Sequence, residues 1–152
     1  MSNGNSISIV GNITRDLELR YTQSGLPSVT FGVAVSRRWQ NRQTNEWEEA
    51  TSYFDVVCWR ELAEHAAESL LKGARVIVVG RLEQRSWENE DGQKRSKVEI
   101  IADEVGPSLR WATAQLSKTE RRQRTNDVAQ GYSNQGAAEI IPSSYIEEED
   151  PF

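Results

Sequence analysis

The chain has 152 residues, 18 Lys and Arg against 23 Asp and Glu, one His, one Cys and five Trp, for a formal net charge of -5. A single Cys excludes an intramolecular disulfide, and one Cys with one His leaves too few ligands for a protein-only zinc site. The longest apolar run, Val76 to Val79, falls far short of the roughly 18 residues that span a bilayer, and the residues after Met1 show no secretory signal pattern, so a soluble intracellular protein is expected.

Residues 7–21 alternate in polarity. Ile7, Ile9, Ile13, Leu17, Leu19 and Tyr21 share one parity, which predicts one long half-buried strand, bent near Gly11. Ser24-Gly25 marks a turn, and Pro27 precedes a second strand with Val29, Phe31, Val33 and Val35 facing inward. A loop over residues 41–46 leads to a third strand, Glu49 to Trp59, with Phe54, Val56 and Cys58 on its core side. The period then changes. Leu62, Ala66 and Leu70, with Ala63, Ala67 and Leu71 beside them, predict a helix, and Gly73 sits where its C-cap belongs. Arg75 to Trp87 reads as a fourth strand, Asp91-Gly92 as a hairpin turn and Lys94 to Asp103 as a fifth strand. Three strands, a helix and two strands suggest an all-β domain with one helix, a five-stranded Greek-key barrel of the OB type. On pattern alone, an unrelated small α+β sheet is the alternative.

Beyond residue 112 the composition shifts. All five Trp lie at or before Trp111, and the rest reads Gln, Ser, Asn, Gly and charge. Residues 113–146 are therefore expected to be a disordered linker, because they cannot bury enough apolar surface to offset ordering entropy. Residues 1–112 hold 14 basic and 16 acidic side chains, whereas residues 139–152 hold five acids and no base. The acidic tail masks a nearly neutral body.

Nothing in the pattern is catalytic. There is no phosphate-binding glycine loop, and a nucleophilic triad needs a His. His65, beside Glu61 on the polar flank of the helix, is read as exposed or capped, and Cys58 as buried filler. Glu48-Glu49 and Glu90-Asp91 read as solvated loop charge rather than a two-metal site. The chain is expected to be no enzyme, with no cofactor and no metal.

The aromatics are the unusual feature. Tyr53 and Trp59 share the parity opposite to the core, Trp87 shares that of Arg81, Glu83 and Arg85, and Trp39 follows Arg37-Arg38. Aromatic rings among cations suit single-stranded nucleic acid: every base has a π-face, and the cations track the phosphates. Trp39, Tyr53, Trp59 and Trp87 are the candidate stacking residues. Arg37, Arg38, Arg81, Arg85, Lys94, Arg95 and Lys97 are the candidate phosphate contacts. The competing assignment puts these rings over the barrel ends or at a subunit interface, the role given to Trp47 and Trp111. Val33, Val35 and Phe54 add apolar content expected to serve subunit contacts.

Several stretches together carry a family likeness: Ile9-Val10-Gly11-Asn12, Glu18-Leu19-Arg20-Tyr21, Val56-Val57-Cys58-Trp59-Arg60-Glu61-Leu62-Ala63-Glu64, Leu71-Lys72-Gly73-Ala74-Arg75-Val76 and Gly80-Arg81-Leu82. With these the chain resembles the bacterial single-stranded DNA-binding proteins (SSB family), and Gly106 to Ala114 resembles their actinobacterial branch. The resemblance implies an OB barrel over residues 1–112 that assembles as a homotetramer, with residues 106–114 as an extra strand clamping neighbours. It implies single-stranded DNA binding in replication, recombination and repair, with Trp39, Tyr53, Trp59 and Trp87 at the family's stacking positions. It further implies a cytoplasmic, nucleoid-associated location. The tip Glu147, Glu148, Glu149, Asp150, Pro151 and Phe152 would dock genome-maintenance proteins. Leu17 stands where the family often has Pro, and the tail lacks a long Gly-rich linker; a short tail fits a specialised paralogue as well as a housekeeping protein. The other function in view is an oligomeric interaction adaptor with weak or RNA-directed binding.

Overall fold

Alternation decides which strands form and which way they face. The computed structural model describes residues 4–120, so most of the expected linker and the whole tip Glu147–Phe152 lie outside the described residues. The elements are β1 (Ile7–Ile13), β2 (Glu18–Tyr21), β3 (Pro27–Gln40), β4 (Trp47–Trp59), α1 (Glu61–Ser69), β5 (Arg75–Glu88) and β6 (Lys94–Pro107). The sheet order is β1-β5-β6-β4-β3-β2, and β1 also pairs with β3, which closes five strands into an OB barrel. All pairings are antiparallel except β4 with β6.

Over the barrel, alternate residues of β1, β3, β4, β5 and β6 enter the core. Val29, Phe31 and Val33 of β3 meet Val56 and Cys58 of β4, Val76 and Val78 of β5, and Ile100 of β6, all essentially inaccessible. Each such side chain stabilises the fold by about 1.5–3 kcal/mol through removal from water. From α1 and the residue after it, Ala63, Ala66 and Leu70 join the same cluster. Burial pushes the Cys58 thiol up to about 12, so it stays protonated and acts as filler.

The structure departs from the sequence pattern at five places. The first strand is interrupted at residues 14–17 rather than bent at Gly11, which stays in register opposite Val76. There the chain leaves β5 for β3: the Thr14 N–H donates to the Gly32 carbonyl at 3.0 Å. The third strand begins at Trp47, two residues earlier than expected. The helix ends with Leu70 as its C-cap, while Gly73, at φ +89°, belongs to the turn that follows. The last strand continues to Pro107 through a register shift that leaves Asp103 without an opposite residue. Finally, Val33 is fully buried and Val35 and Phe54 pack against the core, so these three are not free contact surface. The compact unit ends at Leu116, and residues 108–120 carry no helix or strand.

Candidate nucleic-acid interface

The face of the sheet turned away from the core carries most of the candidate residues. Opposite residues in a ladder share a face, so alternation and register assign each one. On β4 the outward residues are Trp47, Glu49, Thr51, Tyr53, Asp55, Val57 and Trp59. On β6 they are Arg95, Lys97, Glu99 and Ile101, and opposite them on β5 lie Trp87, Arg85, Glu83 and Arg81. Arg38 joins this face from β3, opposite Glu49. Tyr53, Trp59 and Trp87 are thus brought to one face with Arg38, Arg81, Arg85, Arg95 and Lys97. Tyr53 is 73% exposed, and Trp59 and Trp87 are also exposed.

Trp39, Arg37 and Lys94 lie on the opposite side. Trp39 pairs with Glu48 and Lys94 with Glu88, both on the parity that enters the core further along the strands. At these positions the β3–β4 and β5–β6 ribbons run past the core, so that parity too meets solvent. Trp39 is accordingly exposed, with the Arg37 guanidinium 5.2 Å from its ring centroid. Arg85 lies similarly at 5.4 Å from the centroid of Trp87. Both separations fall within the range of cation–π attraction.

A chain of ion pairs crosses the outward face. Arg15 Nη2 donates to Asp55 Oδ1 at 2.9 Å, and Lys97 Nζ reaches Asp55 Oδ2 at 2.9 Å and Glu99 at 3.7 Å. Arg85 meets the same Glu99 oxygen at 3.4 Å. Alternating charges therefore link the strand position next to Tyr53 with the one next to Trp87. Glycine makes the first link possible. Gly32 is directly opposite Asp55, and a Cβ there would run into Thr14 Oγ1 and the Arg15 guanidinium. With no side chain at Gly32, Arg15 lies across β3 and reaches the carboxylate.

Arg15 and Asp55 went unmarked in the sequence because they meet across 40 positions of chain. Trp47, expected in packing or an interface, is 60% exposed on the Tyr53 face, with Arg38 at 5.0 Å from its ring centroid. Its parity with Tyr53 was the available signal once β4 is begun at residue 47. Trp111 is also exposed, flanked by Arg75 and Arg110 at 4.7 and 4.9 Å. His65 is half-buried and lines a cavity of about 740 Å³ between α1 and residues 105–116, away from the outward face. Among the described residues, no cluster of three or more His, Cys, Asp or Glu could hold a metal ion, and no helix is long and apolar enough to cross a membrane.

Burial disfavours the charged form of Asp55, but hydrogen bonds from Lys97 and Arg15, with their charges, outweigh it and hold the carboxyl below its usual range. A lowered folded-state value means the contribution is complete above the unfolded carboxylate value, about 3.9, and disappears as pH falls through the folded value. Asp55→Asn should therefore cost about 1 kcal/mol or less at about pH 6, and less than that at about pH 2. Melting both proteins at the two pH values tests this; an equal deficit at both would show that the ion pairs are not the cause.

The family model described as the single-strand binding protein family matches residues 4–108. The chain belongs to that family. Among curated relatives, the single-stranded DNA-binding protein of Mycobacterium leprae is 52% identical over 123 residues, covering 80% of this chain and 73% of the relative. That of Paenarthrobacter aurescens is 45% identical over 139 residues, covering 90% and 81%. The relatives bear out the actinobacterial likeness, and they are named for binding rather than for a reaction, in keeping with a non-enzymatic protein. Among solved structures, a Plasmodium falciparum SSB complex with ssDNA superposes with a TM-score of 0.65 at 25% identity, covering 71% of this chain and 97% of that one.

Proposed function

We propose that this chain binds single-stranded DNA without sequence preference. Bases stack on Trp39, Tyr53, Trp59 and Trp87, and phosphates meet Arg37, Arg38, Arg81, Arg85, Lys94, Arg95 and Lys97. The observation that carries this is the set of exposed rings among cations, Tyr53, Trp59 and Trp87 on one sheet face and Trp39 on the other side of the β3–β4 ribbon, in a member of the single-strand binding family. The charge chain adds a refinement. Lys97 and Arg85 already share Asp55 and Glu99, so each offers a phosphate less than a full free charge. Stacking then supplies more of the affinity than the count of cations implies, and the salt slope is shallower than about -0.7 for every basic candidate.

The same proposal assigns the protein to homotetramers at the bacterial nucleoid, serving replication, recombination and repair. Support for assembly comes from residues 106–114, which leave Leu109 and Trp111 exposed in the single chain. Recruitment of partner proteins falls to the tip. Four consecutive acids precede Pro151 and Phe152. An apolar pocket rimmed by Arg or Lys would take the terminal ring while its cations pair with the acids.

The test compares the full chain, sedimenting as a tetramer, with a Phe152-deleted form. Both should show strong quenching of Trp fluorescence by oligo-dT at equal affinity, and only the full chain should retain genome-maintenance proteins from lysate. Absence of quenching would overturn DNA binding and favour the interaction adaptor, and tighter binding of oligo-U would redirect the proposal to RNA. Identical captured proteins would overturn the role of the tip, and a monomer would overturn the assembly.

A further inference from the structure

We propose that Trp47, with Arg38, is an additional base-stacking site that extends the binding face along β4. The inference rests on the single-stranded DNA reading and goes beyond its four aromatics. Trp59, Tyr53 and Trp47 follow one another at six-residue intervals on one strand, so all three share the outward parity. At about 3.3 Å per residue, each step is about 20 Å along the strand. Trp47 thus continues a line that the other two begin.

The local chemistry at Trp47 repeats that of two of the candidate rings, Trp39 and Trp87. Arg38 sits 5.0 Å from its ring centroid, matching Arg37 on Trp39 at 5.2 Å and Arg85 on Trp87 at 5.4 Å. A guanidinium over one side of an indole leaves the other side for a base, and the cation polarises the ring and can reach a phosphate. Arg38 comes from the neighbouring strand, where it is held opposite Glu49 by the ladder, so the pair needs no loop ordering to form. At 60% exposure the ring does no structural work for the barrel, and the core ends before it at Val35 and Phe54.

Charge separates this site from an electrostatic one. Residues 36–49 hold Arg37, Arg38 and Arg42 against Glu46, Glu48 and Glu49, a balance of zero. Such a ribbon does not attract phosphates over distance, so what Trp47 contributes is stacking, and its loss leaves the salt slope as it was. The neighbouring rungs Trp39 with Glu48 and Gln40 with Trp47 put the two indoles on opposite sides of the ribbon. A strand engaging both passes around its edge or tip.

The experiment measures oligo-dT binding by the full chain carrying Trp47→Ala, Trp47→Phe or, as a reference, Trp87→Ala, at two salt concentrations and with sedimentation of each protein. Trp47→Ala should bind about five-fold weaker or more, at unchanged assembly, unchanged melting temperature and unchanged salt slope, and Trp47→Phe should recover most of the loss. Wild-type affinity for Trp47→Ala beside weakened Trp87→Ala would overturn the inference and leave the DNA reading standing. Wild-type affinity for both would overturn this face as the stacking surface, and no binding by the unsubstituted chain would overturn the DNA reading itself. A smaller assembly for Trp47→Ala would also overturn the inference, by giving the ring to a second copy of the chain.

Discussion

Trp87→Ala and Tyr53→Ala are each expected to bind oligo-dT about 5- to 150-fold more weakly, the equivalent of about 1–3 kcal/mol, while melting as the wild type does. Stability is spared because neither ring belongs to the core cluster. Trp87 lies near the end of β5, opposite Arg95, and Tyr53 is largely in solvent. Truncation therefore opens no cavity. Electrostatics are spared as well: after Trp87→Ala, Arg85 retains its contact with Glu99 at 3.4 Å, and after Tyr53→Ala the Asp55 pairs remain. The salt slope should be unchanged while the intercept falls, the signature of lost stacking rather than lost phosphate contacts. Fluorescence titration of Tyr53→Ala and anisotropy of labelled oligo-dT for both variants supply the measurement. If both bind at wild-type affinity, the outward face is not the binding face. Trp59→Ala is a less clean probe. Trp59 precedes Arg60, whose φ of +61° turns the chain into α1, so its replacement touches a strained junction as well as a ring.

The parts of this site that the sequence made legible are those written in a period of two. Val29, Phe31 and Val33 declare the core side of β3, and Val56 and Cys58 that of β4, which leaves Tyr53 and Trp59 on the other side by elimination. Asp91-Gly92 announces the β5–β6 turn, where Gly92 takes φ +73° and Asn89 Oδ1 accepts from the N–H groups of Asp91 and Gln93. What stayed hidden follows from the loss of that period. At Trp47–Glu49 the ribbon has passed the core and both parities face water, so no apolar alternation marks the start of β4. At residues 14–17 the parity of Ile13, Leu17 and Leu19 runs straight through the break, so the interruption leaves no trace in hydropathy. At Asp103 the extra residue flips the parity, and the expected strand stopped there. The ion-pair chain is a tertiary product. Arg15 reaches Asp55 only because Gly32 holds the rung opposite it, a coincidence of register that no local pattern records.

Gly11→Ala should lower stability at the upper end of the roughly 1–3 kcal/mol typical of overpacking, or a melting temperature lower by on the order of 10 °C. β1 closes the barrel by pairing with β5 along most of its length and with β3 at Asn12 with Ala34 and Ile13 with Val33. Gly11 immediately precedes that seam. A Cβ on it would be driven into the Ala34 carbonyl and the Val33 side chain. Val33 is fully buried and cannot swing away, and the Ala34 carbonyl moves only if β3 moves. The added methyl group therefore parts the two strands where the barrel is completed. The seam also adjoins the proposed binding face, because Ala34 is the residue directly opposite Tyr53. A displacement of β3 at Ala34 passes to the rung that carries the ring. Affinity for oligo-dT should fall together with stability, but by no more than the loss in Tyr53→Ala, since the ring is displaced rather than removed. Thermal melting and oligo-dT titration of the two variants side by side test both statements. A wild-type melting temperature for Gly11→Ala would mean that the seam yields, and a binding loss greater than that of Tyr53→Ala would mean that the seam acts on the interface through more than this one rung.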